Sequence, residues 1–327
     1  MLHKSSSIDL KRGVITLAFG KEEYIRMGVA LGSGLQKFCP ELPRAVVTDQ
    51  PNGPLAELFD IVIPLNPEYG KDVIQKLYLD QYTPFESTLF IDCDCLIFGN
   101  LDYVFEGMAG GENIIPDELY FHNLENPKKG IDFALLEEKT GLKELPGFNG
   151  GVYYIEKDTL SERTFICARD ILQIYPEYGI GKFRSGPNDE IVLSIAMTLV
   201  GYTQRKLPKQ VMRETFGLDG KMQLDSITGN ARLTCYGITY TPSIVHFCSG
   251  WRDQKAYEHE MGKLAILRST APGALARAHL YEYTLPPLRA FLRKLNQIGK
   301  SMWSLVPRPV RLSYYAITAR LRRVIHS

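Results

Sequence analysis

The feature that most restricts the fold is a regular alternation of strand and helix patterns in the first third of the chain. Short apolar runs predict strands, and apolar residues at helical spacing predict helices. The predicted strands are 13–19, 44–49, 59–65 and 87–95, and the predicted helices are 24–38 and 73–82. This alternation is typical of a mostly parallel sheet with helices on both faces, so we predict an α/β fold.

Beyond residue 100 the alternation is less regular. Residues 116–130 are polar and lack periodicity, which predicts an irregular insertion. The remaining predicted elements are a strand at 147–157, a helix near 159–174, a helix after 185–190 and a strand at 242–250.

Composition excludes several classes of protein. The 327 residues are 45% hydrophobic and 23% charged with a net charge of +1, which predicts one large or two closely packed domains and argues against a general nucleic-acid binder. We find no secretion leader and no run of about 18 apolar residues, so we expect a cytoplasmic protein. The six cysteines form no C-x-x-C pair, which favours reduced thiols over disulfides or a zinc site.

Three glycines follow the first predicted strand, at Gly28, Gly32 and Gly34. Their spacing differs from the dinucleotide-binding G-x-G-x-x-G, and they lie inside the helix pattern instead of before it. We therefore interpret them as sites of close helix packing and not as a phosphate loop.

Two carboxylates interrupt an apolar run in LFIDCDCLIFGN, residues 89–100. Asp is depleted in strands, but Asp92 and Asp94 would share one face of a strand and could converge where it ends. That edge is the usual ligand crevice of an open α/β sheet. A divalent cation would remove their repulsion and bind phosphate oxygens. The alternative is that both residues only form a turn.

Two later segments carry polar groups beside apolar strands. SIVHFCSGW delivers His246 into a turn, where it is either a core residue or a metal ligand. Two carboxylates and one imidazole would suit Mn²⁺ better than Mg²⁺. FNGGVYY places Asn149 beside two glycines, which fits an ordinary turn or a close approach of the backbone to a ligand.

Five segments, in order over residues 13–255, resemble glycosyltransferase family 8, the retaining nucleotide-sugar transferases, and glycogenin-like members in particular. They are TLAFGKEEYIRMGVALGSGL, KLYLDQY with STLFIDCDCLIFGNLDYVF, FNGGVYY, NDEIVLS and HFCSG. The resemblance implies a GT-A fold, with a mostly parallel Rossmann-like sheet flanked by helices. The implied transferase domain covers residues 1–265, with a nucleotide-binding half to about 105 and an acceptor half over 106–265. A helical basic tail would follow over 266–327.

The resemblance also implies roles for single residues. Asp92, Asp94 and His246 would hold Mn²⁺, or Mg²⁺ as the alternative, against the donor diphosphate. The other implied contacts of a UDP-sugar are Leu17, Ala18 and Tyr24 at the uridine, Lys76 at the phosphates or sugar, Cys93 within D-x-D, Asn149, Gly150, Asp189 and Glu190 near the sugar, and Gly250 with Arg252 near the diphosphate.

The implied activity is metal-dependent transfer of a hexose from a UDP-sugar to a glycan or glycolipid, with retention of configuration. Asp189 would lie beneath the anomeric carbon as nucleophile or cation stabiliser. A plain alternative is that Asn188 and Asp189 only begin a helix. Ser194 stands where the family prefers Asn, Glu190 replaces its usual Gln, Gly250 comes one residue late and Arg252 replaces a Lys. The departures near His246 and Ser194 leave open a binding protein without transfer activity.

A second rival is the haloacid-dehalogenase phosphatases, which also use D-x-D after an apolar strand. We disfavour it because Cys95 and Leu96 follow the motif, no convincing acidic pair for Mg²⁺ is found downstream, and the motif lies about ninety residues into the chain.

The C-terminal segment is much more basic than the rest of the chain. Residues 283–327 hold nine Lys or Arg and no Asp or Glu, with apolar residues at helical spacing. Either two helices pack on the enzyme, or residues 286–327 lie on an anionic membrane with Phe291 and Trp303 in the interface. Such a tail would bring a lipid-linked acceptor within reach.

We expect the intact protein to bind anionic vesicles in a salt-sensitive way and to ignore neutral ones, because each basic residue contributes about 1 kcal/mol near such a surface. Truncation after about residue 285 should abolish vesicle binding, measured by co-sedimentation, and leave UDP-sugar hydrolysis intact. An intact protein that ignores anionic vesicles, together with an insoluble truncated one, would show that the tail is core.

Overall fold

The structure, a computed structural model, describes residues 8–110, 114–117, 119–157, 159–203, 207, 209–219, 222–248, 255–268 and 273–282. The chain divides into two compact units, Met1–Tyr257 and Glu258–Ser327. The predicted membrane tail, Gly250 and Arg252 lie outside the described residues.

The secondary structure alternates through the first unit. The strands are β1 (Arg12–Leu17), β2 (Arg44–Thr48), β3 (Ile61–Pro64), β4 (Ser87–Ile91), β5 (Cys95–Ile97), β6 (Tyr120–Asn123), β7 (Glu144–Gly147), β8 (Val152–Glu156), β9 (Met212–Glu214), β10 (Gln223–Asp225), β11 (Asn230–Cys235), β12 (Ile238–Tyr240) and β13 (Ile244–His246). The α-helices are α1 (Glu22–Phe38), α2 (Leu79–Tyr82), α3 (Asp102–Met108), α4 (Phe133–Thr140), α5 (Thr159–Gln173), α6 (Asp189–Val200), α7 (Lys255–Leu267) and α8 (Ala274–Glu282). Short 3₁₀ helices occupy Pro54–Glu57, Pro67–Tyr69, Asp72–Tyr78 and Tyr175–Tyr178.

The central sheet has five strands in the order β3-β2-β1-β4-β8. All neighbouring pairs are parallel except β4 and β8. This confirms the predicted α/β fold with a mostly parallel sheet. Because β8 runs the opposite way, its first residues lie beside the end of β4, where Ile91 pairs with Val152.

Both faces of this sheet are covered, as predicted. Successive residues of β1, β4 and β8 belong alternately to two apolar clusters. One cluster joins Val14, Leu89 and Tyr154 to Leu31 and Leu35 of α1. The other joins Ile15, Phe90 and Tyr153 to buried residues of α5 and α6. Burial on both faces explains why these strands read as continuous apolar runs.

The three glycines of α1 allow close packing, as predicted. A Cβ at Gly28 would lie 2.9 Å from Ala18 Cβ, and one at Gly32 would lie 2.9 Å from Phe59 Cε2. At Gly34 the nearest atom, Ile97 Cβ, would be 3.2 Å away. All three glycines lie inside the helix, which begins at Glu22.

The predicted strand at 87–95 is wrong beyond Ile91. β4 ends there, and the backbone N–H of Cys95 donates to the carbonyl of Asp92 at 3.0 Å, which closes a turn before β5. Asp disfavours strands and favours turns, so the local preference of the two aspartates prevails over the apolar pattern around them.

Three further elements differ from the prediction. The helix predicted at 73–82 is a 3₁₀ helix over Asp72–Tyr78 followed by the short α2. The predicted insertion at 116–130 contains β6, which pairs with β7. The strand predicted from 147 begins only at Val152.

The second unit contains most of α7 and all of α8. Within it, the buried Lys263 Nζ lies 3.0 Å from Glu260 Oε1, and the rings of His259 and Tyr281 stack at 5.4 Å. Among the described helices, none has the length and hydropathy needed to cross a bilayer.

Candidate active site

The turn between β4 and β5 presents the two aspartates at the carboxyl end of the parallel strands. The side chains of Asp92 and Asp94 are 20% and 14% exposed, so both are largely removed from water. Burial raises the pKa of Asp92 above its usual range, and the neighbouring Lys76 opposes that shift. The turn therefore places two carboxylates at the edge of the sheet where open α/β folds bind ligands.

His246 reaches the same turn from the other end of the sequence. β13 pairs antiparallel with β5 so that His246 lies opposite Cys95, and the Phe247 N–H donates to the Asp94 carbonyl at 3.1 Å. The imidazole Nε2 is 3.1 Å from Asp94 Oδ1 and 3.9 Å from Asp92 Oδ2. The three predicted metal ligands thus lie together although 152 residues separate Asp94 from His246.

Asn149 orients the imidazole. Its Oδ1 accepts a hydrogen bond from the Gly151 N–H at 3.0 Å and lies 2.7 Å from His246 Nδ1. The bond from the Gly151 N–H identifies this atom as the amide oxygen, which can only accept. Nδ1 therefore carries a hydrogen, and Nε2 faces the carboxylates. Outer partners of this kind commonly fix a metal-binding histidine.

The distances from His246 fit a divalent cation shared with either aspartate. Two ligand atoms about 2.1 Å from one ion lie at most about 4.2 Å apart, and both distances from His246 Nε2 fall within that span. Carboxylate oxygens with one imidazole nitrogen suit Mn²⁺.

Cys95 is a further neighbour of the cluster. Ligand atoms of Asp94, Cys95 and His246 lie within 4.8 Å of one another. Burial, and next Asp94, raise the pKa of the Cys95 thiol well above its usual value, and its sulfur donates towards the Gly151 carbonyl at 3.9 Å. Asp92 is not part of this group of three, so its place in the metal site stays a prediction.

Lys76 joins the aspartate turn to α6. The 3₁₀ helix Asp72–Tyr78 buries its side chain, and Nζ lies 2.7 Å from Asp92 Oδ2 and 3.6 Å from Asp189 Oδ2. Nζ also donates to the Gly150 carbonyl at 3.0 Å. Although burial opposes the charge, Asp92 and Asp189 raise the pKa of Lys76, so it is an ammonium held between two carboxylates.

Asp189 is the first residue of α6 and is buried. Asn188 caps the helix by accepting from the Glu190 N–H at 2.8 Å, which leaves the Asp189 side chain available to the site. The Tyr153 hydroxyl donates to Asp189 Oδ2 at 3.0 Å. Burial raises the pKa of Asp189, while Lys76 opposes that shift.

Glu190, the next residue, also faces the site. Its Oε1 accepts from the Gly150 N–H at 2.8 Å, and its Oε2 lies 2.6 Å from Lys128 Nζ. Burial would raise the pKa of Glu190, but Lys128, the Gly150 N–H and Lys76 together lower it. Glu190 is therefore a carboxylate.

The other predicted donor contacts occupy the neighbouring sheet edge. Leu17 ends β1, Ala18 follows it, and Tyr24 lies in the first turn of α1 with Lys21 Nζ 5.8 Å from its ring centre. Cys93 is buried in the middle of the aspartate turn.

A pocket with a cavity volume of about 80 Å³ has Asn149 in its lining and so adjoins the site. Its other walls combine aromatic rings with polar side chains, among them Tyr120, Phe148, Asp117, Gln210, Arg213 and Glu214. Among the described residues, Gln210 Oε1 and Arg213 Nε are buried without a hydrogen-bond partner. Aromatic faces and unsatisfied polar atoms suit a ligand that has both apolar faces and hydroxyls.

The sequence analysis did not identify Tyr153, Gly151 or Lys128 as residues of the site. Alternation along FNGGVYY places Tyr153 on one face of β8, but nothing in the sequence shows that Asp189 faces it. Lys128 lies in a polar stretch without periodicity and carries no local signal.

Gly151→Ala should disturb the site without unfolding the chain, because an added Cβ would lie 2.5 Å from His246 Nδ1. We expect a loss of about 1–3 kcal/mol in the free energy of unfolding from overpacking, and a weaker dependence of activity on Mn²⁺. Urea denaturation and Mn²⁺ titration measure the two effects. Gly181→Ala is the control, since its nearest atom would be 3.4 Å away. Equal behaviour of the two variants would contradict the close contact with His246.

No protein-family model and no curated protein matches the sequence. Similar solved structures include the galactosyltransferase LgtC in complex with donor and acceptor sugar analogs, with 13% identity, 76% of this chain and 95% of that chain covered, and a TM-score of 0.46. The apo bifunctional glycosyltransferase WbbM has 11% identity over 85% of this chain and 53% of that chain, with a TM-score of 0.46. The glycosyltransferase GlyE of Streptococcus pneumoniae TIGR4 has 17% identity over 57% and 43%, with a TM-score of 0.38. These values are too low to place the chain in a family.

Proposed function

We propose that the chain is a metal-dependent, retaining glycosyltransferase of GT-A fold that moves a hexose from a UDP-sugar to a glycan or glycolipid acceptor. The position of Lys76 carries the proposal: its ammonium lies 2.7 Å from Asp92 and 3.6 Å from Asp189. This contact makes the aspartate turn and the start of α6 one site, which could bind a diphosphate and act on the sugar attached to it.

Departure of UDP leaves negative charge on the diphosphate. Lys76 is a buried cation beside that position, and preorganised charge of this kind stabilises a transition state more than it would in water. Asp92, Asp94 and His246 would hold Mn²⁺, with Mg²⁺ as the alternative, and the bound ion would act as a Lewis acid on the phosphate oxygens.

Loss of the leaving group places positive charge on the anomeric carbon. Asp189 is the carboxylate suited to that charge, because Tyr153 and Lys76 hold it and it lies close to the aspartate turn. Retention requires either a covalent bond to a carboxylate or attack on the same face within an ion pair. Asp189 can serve either path.

The acceptor is proposed to occupy the pocket beside Asn149. Phe148 and Tyr120 offer faces for the C–H side of a sugar, and Glu214 with Arg213 offers partners for its hydroxyls. The proximity of Asn149 to His246 makes this pocket contiguous with the donor site.

UDP release tests the proposal. We expect purified protein with Mn²⁺ to release UDP from one member of a panel of UDP-sugars, and to transfer the sugar when a glycan or glycolipid acceptor is supplied. Hydrolysis of small phosphomonoesters without UDP release would favour the phosphatase alternative. Mn²⁺-dependent UDP binding without release from any donor would favour a binding protein that lacks transfer activity.

A further inference from the structure

Acidic side chains outnumber the fixed cations around Gly150. Asp92, Asp94, Asp189 and Glu190 bring four carboxylates, while Lys76 is shared between the first and third of them. Glu190 is 22% exposed, so water screens its charge only in part. A buried carboxylate without a partner is costly and would repel its acidic neighbours.

Lys128 supplies the missing charge from a distant part of the sequence. Its Nζ lies 2.6 Å from Glu190 Oε2, and its side chain is only 20% exposed. Two residues later the backbone is tied to the segment before α6, because the Gly130 carbonyl accepts from the Gly181 N–H at 2.8 Å. This hydrogen bond holds the segment that carries Lys128 against the segment that leads into α6.

The Glu190 carboxylate also binds the backbone of Gly150. The oxygen that does not face Lys128 accepts from the Gly150 N–H at 2.8 Å. The Gly150 carbonyl, which belongs to the next peptide group, accepts from Lys76 Nζ at 3.0 Å. Gly150 is therefore held from both sides, by Glu190 at its amide and by Lys76 at its carbonyl. Charge on Lys128 reinforces this arrangement, since charge-assisted hydrogen bonds are shorter and stronger than neutral ones.

We propose that Lys128 is a positioning residue, which neutralises Glu190 and holds its carboxylate on the Gly150 amide so that the Gly150 carbonyl stays on Lys76. The expected effect of Lys128 on the rate rests on the proposed function. The expected effect of Lys128 on the Gly150 contact does not.

The test compares four variants for UDP release, thermal unfolding and hydrogen exchange of the Gly150 amide. We expect Lys128→Met to lower kcat about 10-fold with little change in the KM for the UDP-sugar, the lower end of what outer partners of a site contribute. Lys128→Arg should restore most of that loss. Combining Lys128→Met with Glu190→Gln should restore the unfolding temperature and the slow exchange of the Gly150 amide, because Gln is neutral and its carbonyl oxygen still accepts from the Gly150 N–H. Lys129→Met, at an exposed neighbour, is the matched control.

The remaining outcomes distinguish a failure of this inference from a failure of the proposed function. Wild-type rates for Lys128→Met would overturn the inference and leave the proposed function standing. A lowered unfolding temperature that the double variant does not recover would assign Lys128 a purely structural role, which also overturns it. If the wild type releases UDP from no donor, the proposed function fails. Faster exchange of the Gly150 amide in Lys128→Met would then still support the contact, and unchanged exchange would refute it.

Discussion

Asp94→Asn should remove nearly all metal-dependent turnover while the fold stays intact. Asp94 Oδ1 is 3.1 Å from His246 Nε2, so this carboxylate lies closer to the imidazole than Asp92, at 3.9 Å. A neutral amide cannot offset the charge of a divalent cation, and we expect kcat to fall about 10²–10³-fold, the usual cost of removing one electrostatic stabiliser. UDP release over a range of Mn²⁺ concentrations measures the effect.

The control for this variant is Asp170→Asn, the same change at an exposed position of α5. It should behave like the wild type in UDP release and in circular dichroism. Circular dichroism of the metal-free variants checks that the fold is retained. Wild-type activity of Asp94→Asn at every Mn²⁺ concentration would show that Asp94 is no metal ligand.

Asp189→Asn should lower turnover by about a hundredfold or more and leave UDP affinity nearly unchanged. The buried carboxylate is held by Tyr153 at 3.0 Å and by Lys76 at 3.6 Å, and its charge matters most when positive charge develops on the sugar. Interactions made only in the transition state lower kcat and not ground-state binding. Steady-state kinetics and calorimetric titration with UDP separate the two quantities.

Asp132→Asn controls for the effect of an acidic residue at a helix start. Asp132 caps α4 by accepting from the Ala134 N–H at 2.9 Å, and Asn caps equally well, so only small changes are expected. If Asp189→Asn lost UDP affinity in proportion to its rate, Asp189 would have only the structural role of beginning α6.

The sheet was predictable because its strands obey simple local rules. The parallel strands β1, β2 and β4 are buried on both faces and are therefore continuous apolar runs, whereas β3 is only partly buried. Helix α1 carries apolar residues at helical spacing. The predicted strand ran through Asp92 because the apolar residues on both sides continue the same pattern, and the turn was only the alternative. The preference of Asp for turns was the local signal that should have ended the strand.

The site was predictable only where a motif marks it. Asp92, Asp94 and His246 stand in recognisable segments, and the register of β5 with β13 brings them together. No motif marks the contact of Lys128 with Glu190, because 62 residues separate them and the pairing depends on tertiary structure. The seven-residue 3₁₀ helix at Lys76 was likewise unforeseen, since its residues fit an α-helical pattern equally well.

The antiparallel strand β8 has a consequence for protein engineering. It belongs to the later part of the sequence, yet its five backbone pairs with β4 complete the sheet begun by the earlier part. A fragment ending near residue 105 would expose the edge of β4, and exposed strand edges promote aggregation. Grafting a foreign segment after that point would replace the partner of β4 together with Asn149 and His246, which contact each other in the candidate site. Chimeras designed on the proposed acceptor pocket should therefore exchange surface loops around that pocket and keep β8 native.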